Sequence, residues 1–146
     1  MDNLVSVIFE SKDAKIRGLL YRASGTEPSP TVVMCHGFPG GNKDVLGLGE
    51  RLAKNGISSL VFNYRGTWGS EGLFTISNSI EDVVSATSYL KSGSATRGLN
   101  VDPSNITVLG WSYGGSVALL GSLNDIAIKS VVYIAGGNLS EVGRMM

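Results

Sequence analysis

Apolar and polar positions along the chain follow two different patterns. From Leu4 to Glu10 the side chains alternate. Leu4, Ser6 and Ile8 lie on one side, and Val5, Val7 and Phe9 on the other. A period of two with β-branched and aromatic residues predicts a β-strand. Lys15 to Ala23 predicts a second strand, and Ser11-Lys12-Asp13 a hairpin turn between them. Ser24 to Pro30 is a polar, proline-containing loop.

Beyond residue 30 the alternation gives way to short continuous apolar runs. Thr31–Cys35, Ile57–Asn63, Asn105–Leu109 and Lys129–Ala135 predict strands buried on both faces. Helical spacing fills the gaps between them. Asp44–Asn55 carries Val45, Leu48 and Leu52 on one side, with Gly47 and Gly49 weakening it and Asn55-Gly56 as a stop. Asn78–Lys91 is the clearest helix. Asn78 is its expected cap with Glu81 three residues on, and Ile80, Val83, Val84 and Thr87 form its stripe. Tyr113–Leu123 predicts a third helix. A hairpin followed by a β-α-β-α-β-α-β series predicts an α/β fold. Its sheet is mostly parallel, with right-handed crossovers and helices on both faces. No repeat or linker divides it, so residues 1–146 are expected to form a single domain.

Composition narrows the function classes. Twelve basic and twelve acidic residues balance, which argues against a general nucleic-acid binder or an anionic-membrane binder. The N-terminus has no basic segment followed by an apolar core, and no apolar run reaches the ~18 residues of a membrane span. The expectation is a cytoplasmic protein. Cys35, the single cysteine, follows an apolar run and is expected to be a buried thiol. Glycine occurs 20 times, clustered at 37–49, 66–72 and 110–121, as for tight turns and close backbone contacts. No metal cluster, dinucleotide fingerprint or phosphate loop is present, so no cofactor and no metal is expected.

The chemistry lies in Gly110-Trp111-Ser112-Tyr113-Gly114. G-x-S-x-G alone is common. Here it follows the buried strand Ile106–Leu109 and opens a helix of small and apolar residues. That strand–turn–helix setting is what a nucleophile elbow requires. It would hold the serine on a strained turn at the carboxyl edge of the sheet, at the positive end of a helix.

Three more segments make the chain resemble the α/β-hydrolase family, in its esterase, dienelactone-hydrolase-like and acyl-peptidase-like branches. His36-Gly37-Phe38-Pro39-Gly40-Gly41 is similar to that family's H-G-x loop after the third strand. Asn63–Gly72 is similar to its R-G-x-G-x-S-x-G stretch, with one extra residue between the glycines. Val101–Ile106 resembles the lead-in to the nucleophile strand. The resemblance runs from about residue 4 to 137. It implies that Ser112 attacks an ester, thioester or amide carbonyl, and that the backbone N–H groups of Phe38 and Tyr113 receive the oxyanion. It also implies that His36 supports the oxyanion loop and is not the base, and that Arg65 ties loops together or contacts substrate. Phe38 and Trp68 could line an acyl pocket, and Trp111 or Tyr113 could cover the serine.

The resemblance also marks departures. The family orders its triad serine, acid, histidine. After Ser112 this sequence supplies Asp125, Glu141 and no histidine. Asp125 is expected on the edge of the sheet away from Ser112. Glu141 follows the sixth strand on the same edge as Ser112 and is the candidate acid. Strands seven and eight, which carry the acid and the histidine in most members, have no counterpart here. The expectation is the N-terminal part of such a fold, stopped after about the sixth strand. The function readings are a serine hydrolase acting on a small ester or amide, a non-catalytic half-domain that binds a partner or ligand, and an acyltransferase or thioesterase. Val131-Val132-Tyr133-Ile134 would be an open apolar edge, expected to pair with another copy or to aggregate.

Overall fold

The computed structural model describes residues 3–38, 41, 44–125 and 128–145. Strands β1 (Leu4–Ser11) and β2 (Ala14–Tyr21) form the expected hairpin, paired in antiparallel register from Leu4↔Tyr21 to Ser11↔Ala14. β3 (Ser29–Cys35), β4 (Ser58–Phe62), β5 (Val101–Trp111) and β6 (Ser130–Ile134) complete one six-stranded sheet in the order β1-β2-β4-β3-β5-β6. β2 meets β4 antiparallel, and the other three pairings are parallel. The sheet is therefore mixed and mostly parallel, as the element series predicts.

Helices cover both faces, as expected. α1 (Leu48–Lys54) packs Leu48 and Leu52 onto Met34, Val61 and Leu109. On the other face, α2 (Ile76–Leu90), α3 (Gly93–Gly98) and α4 (Tyr113–Ser122) bury Val83, Ala86, Leu90, Ala95, Val117 and Ala118. These side chains close over Ile16, Leu20, Val33, Leu60, Phe62, Ile106 and Val108 of the sheet. α5 (Leu139–Met145) follows β6, and Leu139 packs against the same core. Cys35 is buried at the end of β3, and desolvation pushes its thiol far above the ordinary range.

Several local expectations change. β2 runs Ala14–Tyr21, not Lys15–Ala23, and the expected loop Ser24–Pro30 ends early because Ser29 already pairs with Val101 in β3. α1 begins at Leu48, not Asp44, because Gly47 adopts the left-handed conformation (φ 71) and Asp44 instead accepts the Gly49 N–H at 2.6 Å. α2 begins two residues before Asn78. Its cap is Thr75, whose Oγ1 accepts the Asn78 N–H at 3.0 Å, while the Asn78 side chain donates to Leu73 O. Glu81 is thereby freed from any capping role. β5 starts at Val101, four residues before the expected Asn105. Val101 pairs with Ser29 across a register shift that accommodates Pro103.

The strand order fixes where a site can form. From β3 the chain crosses to β4 on one side. It then returns past β3 to β5 on the other. The carboxyl ends of β3 and β5 thus flank a reversal of winding direction, where open α/β sheets leave a crevice. Cys35 pairs with Gly110 at that end, so the segment from His36 and the turn at Ser112 leave the sheet side by side.

Candidate functional site

Ser112 joins β5 to α4 with φ 56 and ψ −125, a backbone region that only glycine occupies without strain. Two contacts hold it there. Its N–H donates to Ile134 O of β6 at 2.9 Å, and its carbonyl accepts the Gly115 N–H at 2.9 Å. Ser112 occupies the N-cap position, yet its side chain caps nothing. Among the described residues its Oγ has no hydrogen-bond partner.

The flanking glycines are set by close approach. A Cβ on Gly110 would collide with the backbone of Gly114, and one on Gly114 would collide with the carbonyls of Cys35 and His36. The loop after β3 is therefore pressed onto the first turn of α4. A Cβ on Gly37 would lie 3.5 Å from Ser112 Cβ and 3.1 Å from the Trp111 ring. Trp111 thus lies against Gly37, and Tyr113 turns into the core.

The N–H groups of Phe38 and Tyr113 sit on these two segments. Among the described residues the Phe38 N–H has no acceptor. Tyr113 is the first residue of α4, where helical N–H groups lack intrahelical acceptors. Pro39 and Gly40 of the same loop lie outside the described residues. The Phe38 ring stacks on Phe74 at 5.3 Å and meets Tyr113 edge-on at 6.2 Å.

His36 is buried. Its Nδ1 lies 2.8 Å from Gly37 O, and a carbonyl only accepts, so Nδ1 carries the proton. Nε2 is left buried with no partner. Desolvation holds the ring's pKa below its ordinary 6.5, against the raising effect of the Gly37 bond. The imidazole also packs on Tyr64 at 4.5 Å.

Arg65 does tie segments together. Its Nε donates to Asp82 Oδ1 at 2.7 Å and its backbone N–H to Oδ2 at 2.8 Å. Its Nη2 reaches Asn78 O at 3.0 Å and Glu81 Oε2 at 2.7 Å. Asp82 is fully buried and also accepts from Ser11 Oγ at 2.6 Å. It was not legible as a partner, because it stands among the buried residues of an amphipathic helix. The signal was an acidic residue next to core-facing Val83 on the helix that follows a lone arginine.

The remaining residues are more dispersed. Trp68 is 64% exposed, on a left-handed turn, with its ring against Gly41. Asp125 follows α4 and accepts from Thr87 Oγ1 at 2.9 Å and Lys91 Nζ at 3.2 Å. Both donors belong to the carboxyl end of α2, away from the Ser112 turn. Glu141 is exposed in the first turn of α5, its backbone N–H bonded to Asn138 O at 3.0 Å. Ser116 Oγ of α4 donates to Gly137 O, which ties the segment before α5 to the helix that Ser112 opens. No helix among the described residues is long and apolar enough to cross a membrane.

Comparison with known proteins identifies the family. The family model "Alpha/beta hydrolase family" matches residues 32–145, and the chain belongs to that family. It is 32% identical, over 88% of its length, to the quorum-quenching protein AidA of Acinetobacter baumannii, of which it covers 42%. It is 30% identical, over 82% of its length, to the thiohydrolase aneE of Aspergillus aculeatus, of which it covers 37%. The α/β hydrolase GrgF from Penicillium sp. sh18 superposes with a TM-score of 0.81 at 22% identity, over 97% of this chain and 50% of that one. The chain therefore spans about 40% of the length of those curated relatives.

Proposed function

We propose that these residues form the nucleophile half of a serine hydrolase that cleaves a small ester or thioester through an acyl-enzyme at Ser112. The observation that carries this reading is the Ser112 turn: φ 56, ψ −125, with an Oγ that neither caps its helix nor bonds to any described residue. Such strain persists only where the surroundings enforce it, and here it leaves a serine hydroxyl uncommitted.

The chemistry follows from the neighbours. Ser112 Oγ adds to the carbonyl carbon while a base takes its proton. The carbonyl oxygen becomes an oxyanion, met by the N–H groups of Phe38 and Tyr113, each worth ~3 kcal/mol in the barrier. The intermediate collapses to an acyl-Ser112 as the alcohol or thiol leaves with a proton, and water then releases the acid. His36 is the one histidine of the sequence. Its Nδ1 proton is committed to Gly37 O and its Nε2 is sealed in the core, so it does not fit the role of base. The relatives are more than twice as long as this chain. We assign the histidine to that additional length, and Glu141 is the candidate acid among the described residues. Without the base, residual turnover from the oxyanion donors alone would be ~10³–10⁴-fold over water. A thioester is included because one relative is named a thiohydrolase.

The test is intact mass after brief mixing of the full-length natural protein with p-nitrophenyl butyrate and, separately, with a butyryl thioester. A transient butyryl adduct mapped to Ser112 is expected. Turnover with no adduct, or an adduct elsewhere, would overturn the assignment.

A further inference from the structure

Two buried tyrosines border the Ser112 turn, and the chemistry above uses neither hydroxyl. Tyr64 and Tyr113 are 1% and 3% exposed, and their rings meet edge to face at 5.6 Å. For packing alone, phenylalanine would serve both positions. Each hydroxyl instead makes one specific bond. Tyr64 donates to the His36 carbonyl at 2.8 Å. Tyr113 donates to Ser79 Oγ at 2.9 Å, and Ser79 Oγ donates in turn to Thr75 O at 2.9 Å at the start of α2.

These bonds fall beside the two N–H groups that matter. The His36 carbonyl belongs to the peptide immediately before the one that bears the Phe38 N–H. Tyr113 carries the other N–H on its own backbone, and its side chain is pinned to α2 through Ser79. The Phe38 ring is held in the same cluster, stacked on Phe74 and edge-on to Tyr113. A buried hydroxyl without a partner is costly, so each bond has one favoured geometry. The loop after β3 and the first turn of α4 are thereby referenced to the same core.

We propose that the Tyr64 and Tyr113 hydroxyls are positioning groups that aim the Phe38 and Tyr113 N–H donors at the oxyanion. This rests on the nucleophile reading of Ser112. Misplacing a reacting or stabilising group by ~1 Å costs up to ~100-fold in rate. Loss of either hydroxyl therefore lowers kcat and leaves substrate binding in place.

The experiment uses the full-length natural protein with Tyr64→Phe, Tyr113→Phe, Ser79→Ala, the Tyr113/Ser79 double variant and Ser112→Ala. Tyr89→Phe is the control, since the Tyr89 hydroxyl has no hydrogen-bond partner among the described residues. Kinetics on a p-nitrophenyl ester are measured below the melting temperature of every variant. Affinity for a trifluoromethyl ketone, which forms an oxyanion adduct with a serine, is measured in parallel. We expect kcat to fall about 10- to 100-fold with KM within about twofold. Ketone affinity should fall by a similar factor, and the Tyr113/Ser79 double variant should be no worse than either single one. Tyr89→Phe should match the natural protein. Tyrosine variants that melt earlier but keep kcat and ketone affinity would overturn the proposal, because their hydroxyls would then be structural only. Full activity in Ser112→Ala would overturn the nucleophile reading and this proposal together. An inactive Ser112→Ala beside fully active tyrosine variants would overturn this proposal alone.

Discussion

Ser112 carries a conformational cost that its side chain does not recover, since its Oγ makes no bond to a described residue. Ser112→Gly should therefore raise stability by about 1 kcal/mol, at the lower end of what strained backbone costs. Ser112→Ala should not, because alanine meets the same steric conflict at φ 56. Urea midpoints for the two variants check this, and equal stability would refute the strain. His36 gives a second residue-scale expectation. Its folded pKa lies below the unfolded 6.5 because burial disfavours the cation. The unfolded state then binds more protons as pH falls through that value. Stability is complete above about pH 6.5 and declines below it, by at most about 1.4 kcal/mol per pH unit. The slope of unfolding free energy between pH 7.5 and 5.5 should be steeper for the natural protein than for His36→Gln. Identical slopes would show that His36 is not sealed.

At the scale of elements, β3, β4 and the helix at 113–122 were legible because burial leaves an unbroken apolar signature, and β1 and β2 because one buried face leaves an alternating one. β6 carries an apolar run like that of β3 but, with β5 its one described neighbour, is not buried on both faces as expected. Boundaries shifted where one side chain decided them. Thr75 took the cap from Asn78, and Gly47 delayed α1. α3 and α5 were missed: both are short, and Gly93-Ser94-Ala95-Thr96-Arg97-Gly98 carries almost no apolar period. α2 shows what a hydrophobic stripe conceals. Its buried face includes Ser79, Asp82 and Thr87, each held by a side chain from another element. Asp82 joins α2 to the chain after β4 through Arg65, and to β1 through Ser11. Removing Asp82 leaves the buried Arg65 with only the half-exposed Glu81 as a counter-charge and takes the acceptor from Ser11 Oγ and from the Arg65 N–H, so Asp82→Ala should cost about 3 kcal/mol. Chemical denaturation measures this, and a loss below about 1 kcal/mol would mean that the existing Glu81 pair suffices to hold Arg65.

At the scale of the molecule, the site depends on topology that no single motif states. G-x-S-x-G and H-G lie more than 70 residues apart in sequence. They meet because β3 and β5 are parallel neighbours with Cys35 opposite Gly110. The sequence pattern could supply the elements and the serine. The link through Tyr64, Tyr113 and Ser79 required the sheet order. β6 pairs only with β5 among the described strands, and Val132 and Tyr133 are 41% and 49% exposed. We expect residues 1–146 produced alone to self-associate through this edge, and Val132→Lys to weaken that association. Sedimentation velocity decides: a monodisperse monomer at about 10 μM, a range where exposed edges associate, would refute it.

The central claim is that Ser112 is an activated nucleophile in the full-length natural protein. A fluorophosphonate probe, which phosphonylates a serine only when that serine is activated, tests it most directly. One phosphonate on Ser112, and none on the Ser112→Ala variant, is the expected result. Equal labelling of the two proteins, or label on another residue, would contradict it.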